Sequence, residues 1–180
     1  GTPGRSATGE EMRILERYVG FGATELAQAL FPVPGDPIRH GWEEIASDLY
    51  ALVNEHDRAL IARSTQYAHY TPDYLTRAIW ETVRRLGFAG GTVLEPGCGI
   101  GLFIAAAPAA IASQITWIGV EMDPTTATIA KALHPSAAII NDDFVRTRLR
   151  QPLDLAIGNP PFSATRVSGA RRGVGSASDA

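Results

Sequence analysis

The chain has 180 residues, 45% hydrophobic and 19% charged, with a net charge of −3, which suits one globular domain with a small appendage and offers no overall basic field for nucleic acid or an anionic membrane. A single cysteine, Cys98, excludes an intrachain disulfide and a multi-cysteine metal site, and the four scattered histidines (His40, His56, His69, His134) give no ligand pair, so no metal is expected. No apolar run reaches the roughly 18–20 residues needed to span a bilayer and no signal peptide opens the chain, so the expected location is the cytoplasm.

The chain starts Gly1-Thr2-Pro3 without a methionine, as a piece of a longer protein would. Thr8-Gly9-Glu10-Glu11 has capping-box spacing. Met12, Leu15, Val19, Leu26 and Leu30 then suggest helices broken near Gly20-Phe21-Gly22. Pro32 to Pro37 reads as a loop. From Trp42 to about Ala62, apolar residues recur at helical spacing. Residues 1–65 therefore form an expected helical extension. Thr71-Pro72-Asp73 predicts a helix start, with Thr71 as N-cap and Pro72 at the first helical position, running to about Leu86 and ending at Gly87. Thr92–Glu95 predicts a strand and Gly101–Ala112 a helix. Trp117–Glu121 and Pro124–Leu133 repeat the pair, and Ala137–Ile140 and Leu153–Ile157 are further strands. Such alternation predicts an α/β fold with a parallel sheet covered on both faces. After Ser163 the sequence becomes Gly-, Ala-, Ser- and Arg-rich, so residues 164–180 are expected to be a flexible tail and the sheet to stop after its fourth strand.

The segment "VLEPGCGIG", Val93 to Gly101, follows a strand and opens a helix, the setting of a ligand loop at the carboxyl edge of a parallel sheet. Its glycines lie at 97, 99 and 101. A dinucleotide fingerprint would need the third glycine at 102, where Leu102 stands, and the Gly-Lys-Ser/Thr of a P-loop is absent. The loop permits close backbone approach, Glu95 suits a ligand bearing an ammonium group, and Glu121 at the next strand's end can accept from both ribose hydroxyls. This combination describes S-adenosylmethionine better than NAD.

These residues resemble the class I S-adenosylmethionine-dependent methyltransferases, which are Rossmann-like. Glu95-x-Gly97-x-Gly99-x-Gly101 matches the first motif of that family, and Glu121-Met122-Asp123 its ribose-binding motif. Asn141-Asp142-Asp143-Phe144 is similar to the third. The resemblance implies that Asp143 accepts from the adenine amino group, with Asp142 as the alternative register, and that Phe144 lies near the ring.

Asn159-Pro160-Pro161-Phe162 resembles the catalytic motif of methyltransferases that modify amino groups conjugated to a planar system. Such an amine donates its lone pair into the ring and is a poor nucleophile. Acceptors aimed at its two N–H groups, the Asn159 side-chain oxygen and the Pro160 carbonyl, favour a tetrahedral nitrogen. Pro160 and Pro161 hold that carbonyl rigidly, and Phe162 would stack on the substrate. Attack on the methyl is then an in-line displacement helped mainly by positioning, and a base in duplex DNA would first be flipped out.

Tyr70-Thr71-Pro72 resembles the Tyr/Phe-Thr-Pro motif of amino-methylating DNA methyltransferases, where it contacts the methionine part of the cofactor. The motif order matches the N6-adenine subgroup typified by type I modification subunits. The stretch Gln66 to Phe103, with Arg17 to Gly22 upstream, is similar to the methylase portion of phage and plasmid helicase–methyltransferase proteins. The methyltransferase portion implied is residues 66–163, acting on adenine N6 in DNA through contacts supplied outside this chain by a helicase or recognition domain. Phe162 departs from the tyrosine of many members. The alternatives are a protein glutamine amide or an RNA base as substrate, or an inactive fragment that binds cofactor.

Overall fold

The computed structural model describes residues 7–20, 23–33, 35–65 and 71–160. The extension folds as four short helices, α1 (Gly9–Leu15), α2 (Thr24–Leu30), α3 (Glu43–Leu52) and α4 (Glu55–Ser64). The α1 capping box forms: Glu11 N donates to Thr8 Oγ1 at 3.3 Å and Thr8 N donates to Glu11 Oε2 at 2.7 Å. The stretch of helical spacing from Trp42 to about Ala62 forms two helices, α3 and α4. Asn54 takes Asp57 N onto its Oδ1 at 2.8 Å, a side-chain cap that starts α4 anew. Leu30, Ala46 and Ile61 are buried, and the Tyr50 hydroxyl donates to the Leu30 carbonyl, joining α3 to α2.

The next helix, α5, runs Asp73–Arg85, and the chain turns at Gly87 with φ 96°. Its start corrects the expected one. Pro72 occupies the N-cap without a side-chain cap bond, and Thr71, expected as the cap, is buried one residue earlier. Then follow β1 (Gly91–Pro96), α6 (Leu102–Ala105), α7 (Ala109–Ala112), β2 (Ile115–Glu121), α8 (Pro124–Leu133), β3 (Ala138–Asn141) and β4 (Leu155–Ala156). The helix expected over Gly101–Ala112 is split. Pro108 has no N–H to continue it and holds an extended backbone, φ −61° and ψ 128°, as the N-cap of α7. The fourth strand keeps only two ladder residues of the five expected.

All pairings are parallel, in the order β3-β2-β1-β4, one half of a Rossmann-like doubly wound sheet. The chain steps outward from β1 to β3 and then crosses back to β4, so the strand order reverses beside β1. Register puts Val93, Trp117 and Ile157 on one face, packed with Trp80, Phe103 and Ile111. Ala127 and Ala130 of α8 meet Cys98 and Ile139 on that same face. Helices α5 to α8 therefore share one face. On the other, Leu94, Ile118 and Val120 pack with Ile140 and Leu149.

Candidate active site

Parallel strands deliver their carboxyl ends to one edge, so residues far apart in sequence become neighbours there. Glu95 and the glycine loop leave β1, Glu121 ends β2, Asp142 and Asp143 follow β3, and Asn159 follows β4. Ile157 N donates to Leu94 O at 2.9 Å. A Cβ on Gly158 would lie 3.3 Å from Pro96 O and 3.8 Å from Glu95 Cγ, which sets Asn159 one residue from the foot of the loop.

The loop alternates in conformation. Gly97, Gly99 and Gly101 have φ of 60°, 56° and 84°, the left-handed region that glycine occupies at least cost. Between them Cys98 N donates to Val120 O at 3.0 Å, and Gly101 N to Cys98 O at 2.8 Å. The Cys98 side chain is buried where a Cβ on Gly119 would come within 2.9 Å of its Sγ. Burial, and then the neighbouring carboxylates Glu95 and Glu121, push its thiol well above the usual range, so it stays protonated and acts as a small packing group. His134 closes the far side: its Nε2 lies 2.9 Å from Ile100 O, and a Cβ on Gly101 would strike its ring at 2.5 Å.

The two strand-end carboxylates differ. Glu121 Oε2 accepts from Gly99 N at 2.9 Å and its Oε1 from Asp123 N at 2.8 Å. Burial nevertheless raises its pKa, because desolvation outweighs those two N–H groups. Glu95 is 3% exposed, beneath the loop. Its Oε1 accepts from Phe103 N at 3.4 Å, while Oε2 is buried with no partner among the described residues. Desolvation pushes this carboxyl up to about 8, and the charge of Glu121 adds to the rise. An orphaned buried carboxylate oxygen calls for a proton or a cation. With a glycine loop free of Cβ atoms and a hydrogen-bonded carboxylate beside it, the residues present fit a ligand that carries both an ammonium group and a ribose.

At the third strand, Asn141 Nδ2 donates to the carbonyls of Glu121 at 2.8 Å and Met122 at 3.1 Å. Met122 and Phe144 are large apolar side chains left 41% and 45% exposed on this edge. Asp143 Oδ1 accepts from Val145 N at 3.0 Å, and Asp142 Oδ1 from Asp143 N at 2.8 Å. Thr71, Leu102 and Arg77 help line a cavity of about 170 Å³ between the start of α5 and α6, which brings the Thr-Pro step next to the loop's exit. Asn159, Pro160 and Pro72 are exposed. Tyr70, Pro161 and Phe162, and the tail from 164, lie outside the described residues. Sequence reasoning gave no role to Asn141 or His134. Both act through backbone carbonyls, and a polar residue at a strand or helix end carries no mark of which carbonyl it will meet. Among the described residues no cluster of His, Cys, Asp or Glu could hold a metal, and no helix is long and apolar enough to cross a membrane.

No protein-family model matches the chain. It is 34% identical over 108 residues to the type II methyltransferase M.CvrRI of Paramecium bursaria Chlorella virus XZ-6E, covering 59% of this chain and 27% of that protein. It is 38% identical over 73 residues to the type II methyltransferase M.TthHB8I of Thermus thermophilus, covering 41% and 16%. With the defense against restriction protein B of Escherichia phage P1 it shares 28% identity over 97 residues, covering 52% and 4%. The chain thus spans about a quarter or less of each relative. A solved methyltransferase subunit of a type I restriction–modification system from Streptococcus thermophilus is 18% identical, with a TM-score of 0.45, covering 67% of this chain and 31% of that one. Two of these relatives, both type II methyltransferases, bear out the resemblance drawn from the motifs, and the third is a phage protein.

Proposed function

We propose that the chain carries the S-adenosylmethionine-binding and catalytic core of a methyltransferase acting on an exocyclic amino group, adenine N6 in DNA. The single observation that carries this reading is the arrival of Glu121, the Gly97–Gly101 loop and Asn159 at the carboxyl ends of adjacent parallel strands, at the point where strand order reverses. In this reading the bound cofactor supplies an electrophilic methyl group. Gly97, Gly99 and Gly101 admit it against the backbone, Glu95 meets its ammonium group, and Glu121 accepts from its ribose. Met122, Asp143 and Phe144 border its adenine, and Tyr70, Thr71 and Pro72 its methionine portion.

The clamp's task is proton and lone-pair control. Asn159 Oδ1 and the Pro160 carbonyl accept the two N–H groups of the substrate amine and localise its lone pair, with Pro161 stiffening the turn and Phe162 stacking on the base. We assign this work to residues 66–163, place it in the cytoplasm, and leave DNA contacts to a helicase or recognition domain outside the chain.

The test is transfer of a labelled methyl group from S-adenosylmethionine to unmethylated DNA, with RNA and protein as parallel acceptors. Label on DNA adenine supports the reading, and label on protein or RNA alone replaces the substrate. Asn159→Ala should lower transfer at least 100-fold while S-adenosylhomocysteine affinity stays within about twofold. Equal loss of both would remove Asn159 from its assigned role.

A further inference from the structure

The crossover from β3 back to β4, residues 142–154, lies wholly among the described residues and contains no helix or strand, although a parallel crossover is usually helical. A connection of this length without regular structure is uncommon inside a compact domain and tends to carry function. It reads Arg146-Thr147-Arg148-Leu149-Arg150, three arginines within five residues of a chain whose net charge is −3. Burial alternates along it: the arginines are exposed, and Thr147 and Leu149 between them are half-buried. The inward pair anchors the segment beside the candidate site. Thr147 N and Oγ1 both donate to Asp143 O at 3.0 Å, and Leu149 packs on the cluster of Leu94, Ile118 and Val120. Leu94 and Val120 directly precede Glu95 and Glu121, and Leu94 is the register partner of Ala156, three residues before Asn159.

The acids of the same segment are committed elsewhere. Asp142 Oδ1 accepts from Asp143 N at 2.8 Å and Asp143 Oδ1 from Val145 N at 3.0 Å, while Asp154 Oδ2 accepts from Thr92 N at 2.7 Å, at the opposite edge of the sheet. Arg146 Nε lies 3.8 Å from Asp143 Oδ2, and Arg148 and Arg150 form no ion pair among the described residues. On α5, by contrast, Arg77 and Arg85 each pair with an acid one turn earlier, Asp73 and Glu81.

We propose that Arg146, Arg148 and Arg150 form a phosphate-binding strip that grips the nucleic acid strand carrying the target base, in addition to the contacts assigned outside the chain. This rests on the proposed transfer to DNA. Guanidinium groups make forked, charge-assisted hydrogen bonds to phosphate oxygens. Such contacts fix a strand's position without reading its sequence. Each phosphate neutralised releases condensed counterions, so the grip weakens steeply with salt.

The experiment is a fluorescence-anisotropy titration of labelled single-stranded DNA with the full chain over a series of salt concentrations, with S-adenosylhomocysteine calorimetry and thermal melts in parallel. The double variant Arg148→Gln/Arg150→Gln should weaken DNA binding about tenfold at low salt, by the same factor for oligonucleotides of different sequence. The slope of log affinity against log salt should flatten by about 0.7 for each arginine removed. Arg148→Lys should keep the slope, and Arg84→Gln on α5 should leave both quantities as in the wild type. Affinity for S-adenosylhomocysteine and Tm should not move in any of these variants. An unchanged slope in the double variant, an equal loss in Arg84→Gln, or no DNA binding by the wild-type chain at low salt would overturn the strip. So would a tighter, strip-dependent hold on an acidic peptide, which would make the partner a protein. A wild-type chain that binds DNA but not S-adenosylhomocysteine would instead remove the methyl-donor reading.

Discussion

The two halves of the candidate site are built differently. On the β1–β2 side a six-residue strand pairs with a seven-residue one over six registered positions, and the loop above them is held by backbone and carboxylate bonds. On the β4 side a two-residue strand holds the clamp, with two registered pairs to β1, Val93↔Leu155 and Leu94↔Ala156, and Asp154 bonded to Thr92 just before them. A cofactor of fixed shape suits the first half. The second must admit a group that arrives from outside, and short pairing leaves it room to adjust. The difference teaches that binding of the donor and transfer of its methyl group can be lost separately.

Gly101→Ala strikes the rigid half hardest. It forces a Cβ into left-handed backbone and onto the His134 ring, at a cost of about 3 kcal/mol by urea denaturation, and S-adenosylhomocysteine binding should fall more than tenfold. A variant as stable as the wild type would show that the loop is looser than its bonds imply.

Glu95→Gln sharpens the same half through pH. The folded carboxyl titrates near 8 and the unfolded one near 4.5, so the folded state binds the extra proton between those values. Stability from that proton is complete below 4.5 and is lost as pH rises through 8. The stability of Glu95→Gln should therefore pull ahead of the wild type across this window, by about 1.4 kcal/mol per pH unit at most, read as a widening Tm gap that levels off above it. A gap that does not depend on pH would mean that the carboxyl is ionised throughout.

The smallest effect belongs to the looser half. Gly158→Ala has ordinary backbone and a contact of 3.3 Å to Pro96 O, so it should cost under about 1 kcal/mol. It should nonetheless lower methyl transfer more than donor affinity. A reversed order of those two losses would dissolve the division between the halves.

Sequence legibility followed the same division. Pro124–Leu133 was legible to the residue, because Asp123, whose side chain accepts from Thr126 N, and Pro124 set its start locally. The alternating glycines and the strand-end carboxylates were legible because steric demand and edge position leave marks in residue type. The breaks at Asn54 and Pro108 ran against apolar periodicities that continued across them, and the local cap and missing N–H prevailed. The packing of α1 against α8 was not legible, since only tertiary structure brings the two together.

Gly119 has a consequence beyond making room for Cys98. With Cys98 tucked against β2 and tied to Val120, the loop is pinned at its middle, while its glycines on either side have no side chains to rearrange. A ligand settling on such a template has little chain freedom to quench, so the ordering penalty that usually offsets association is small. The absence of a side chain deep in the sheet thereby becomes a contribution to affinity at its rim.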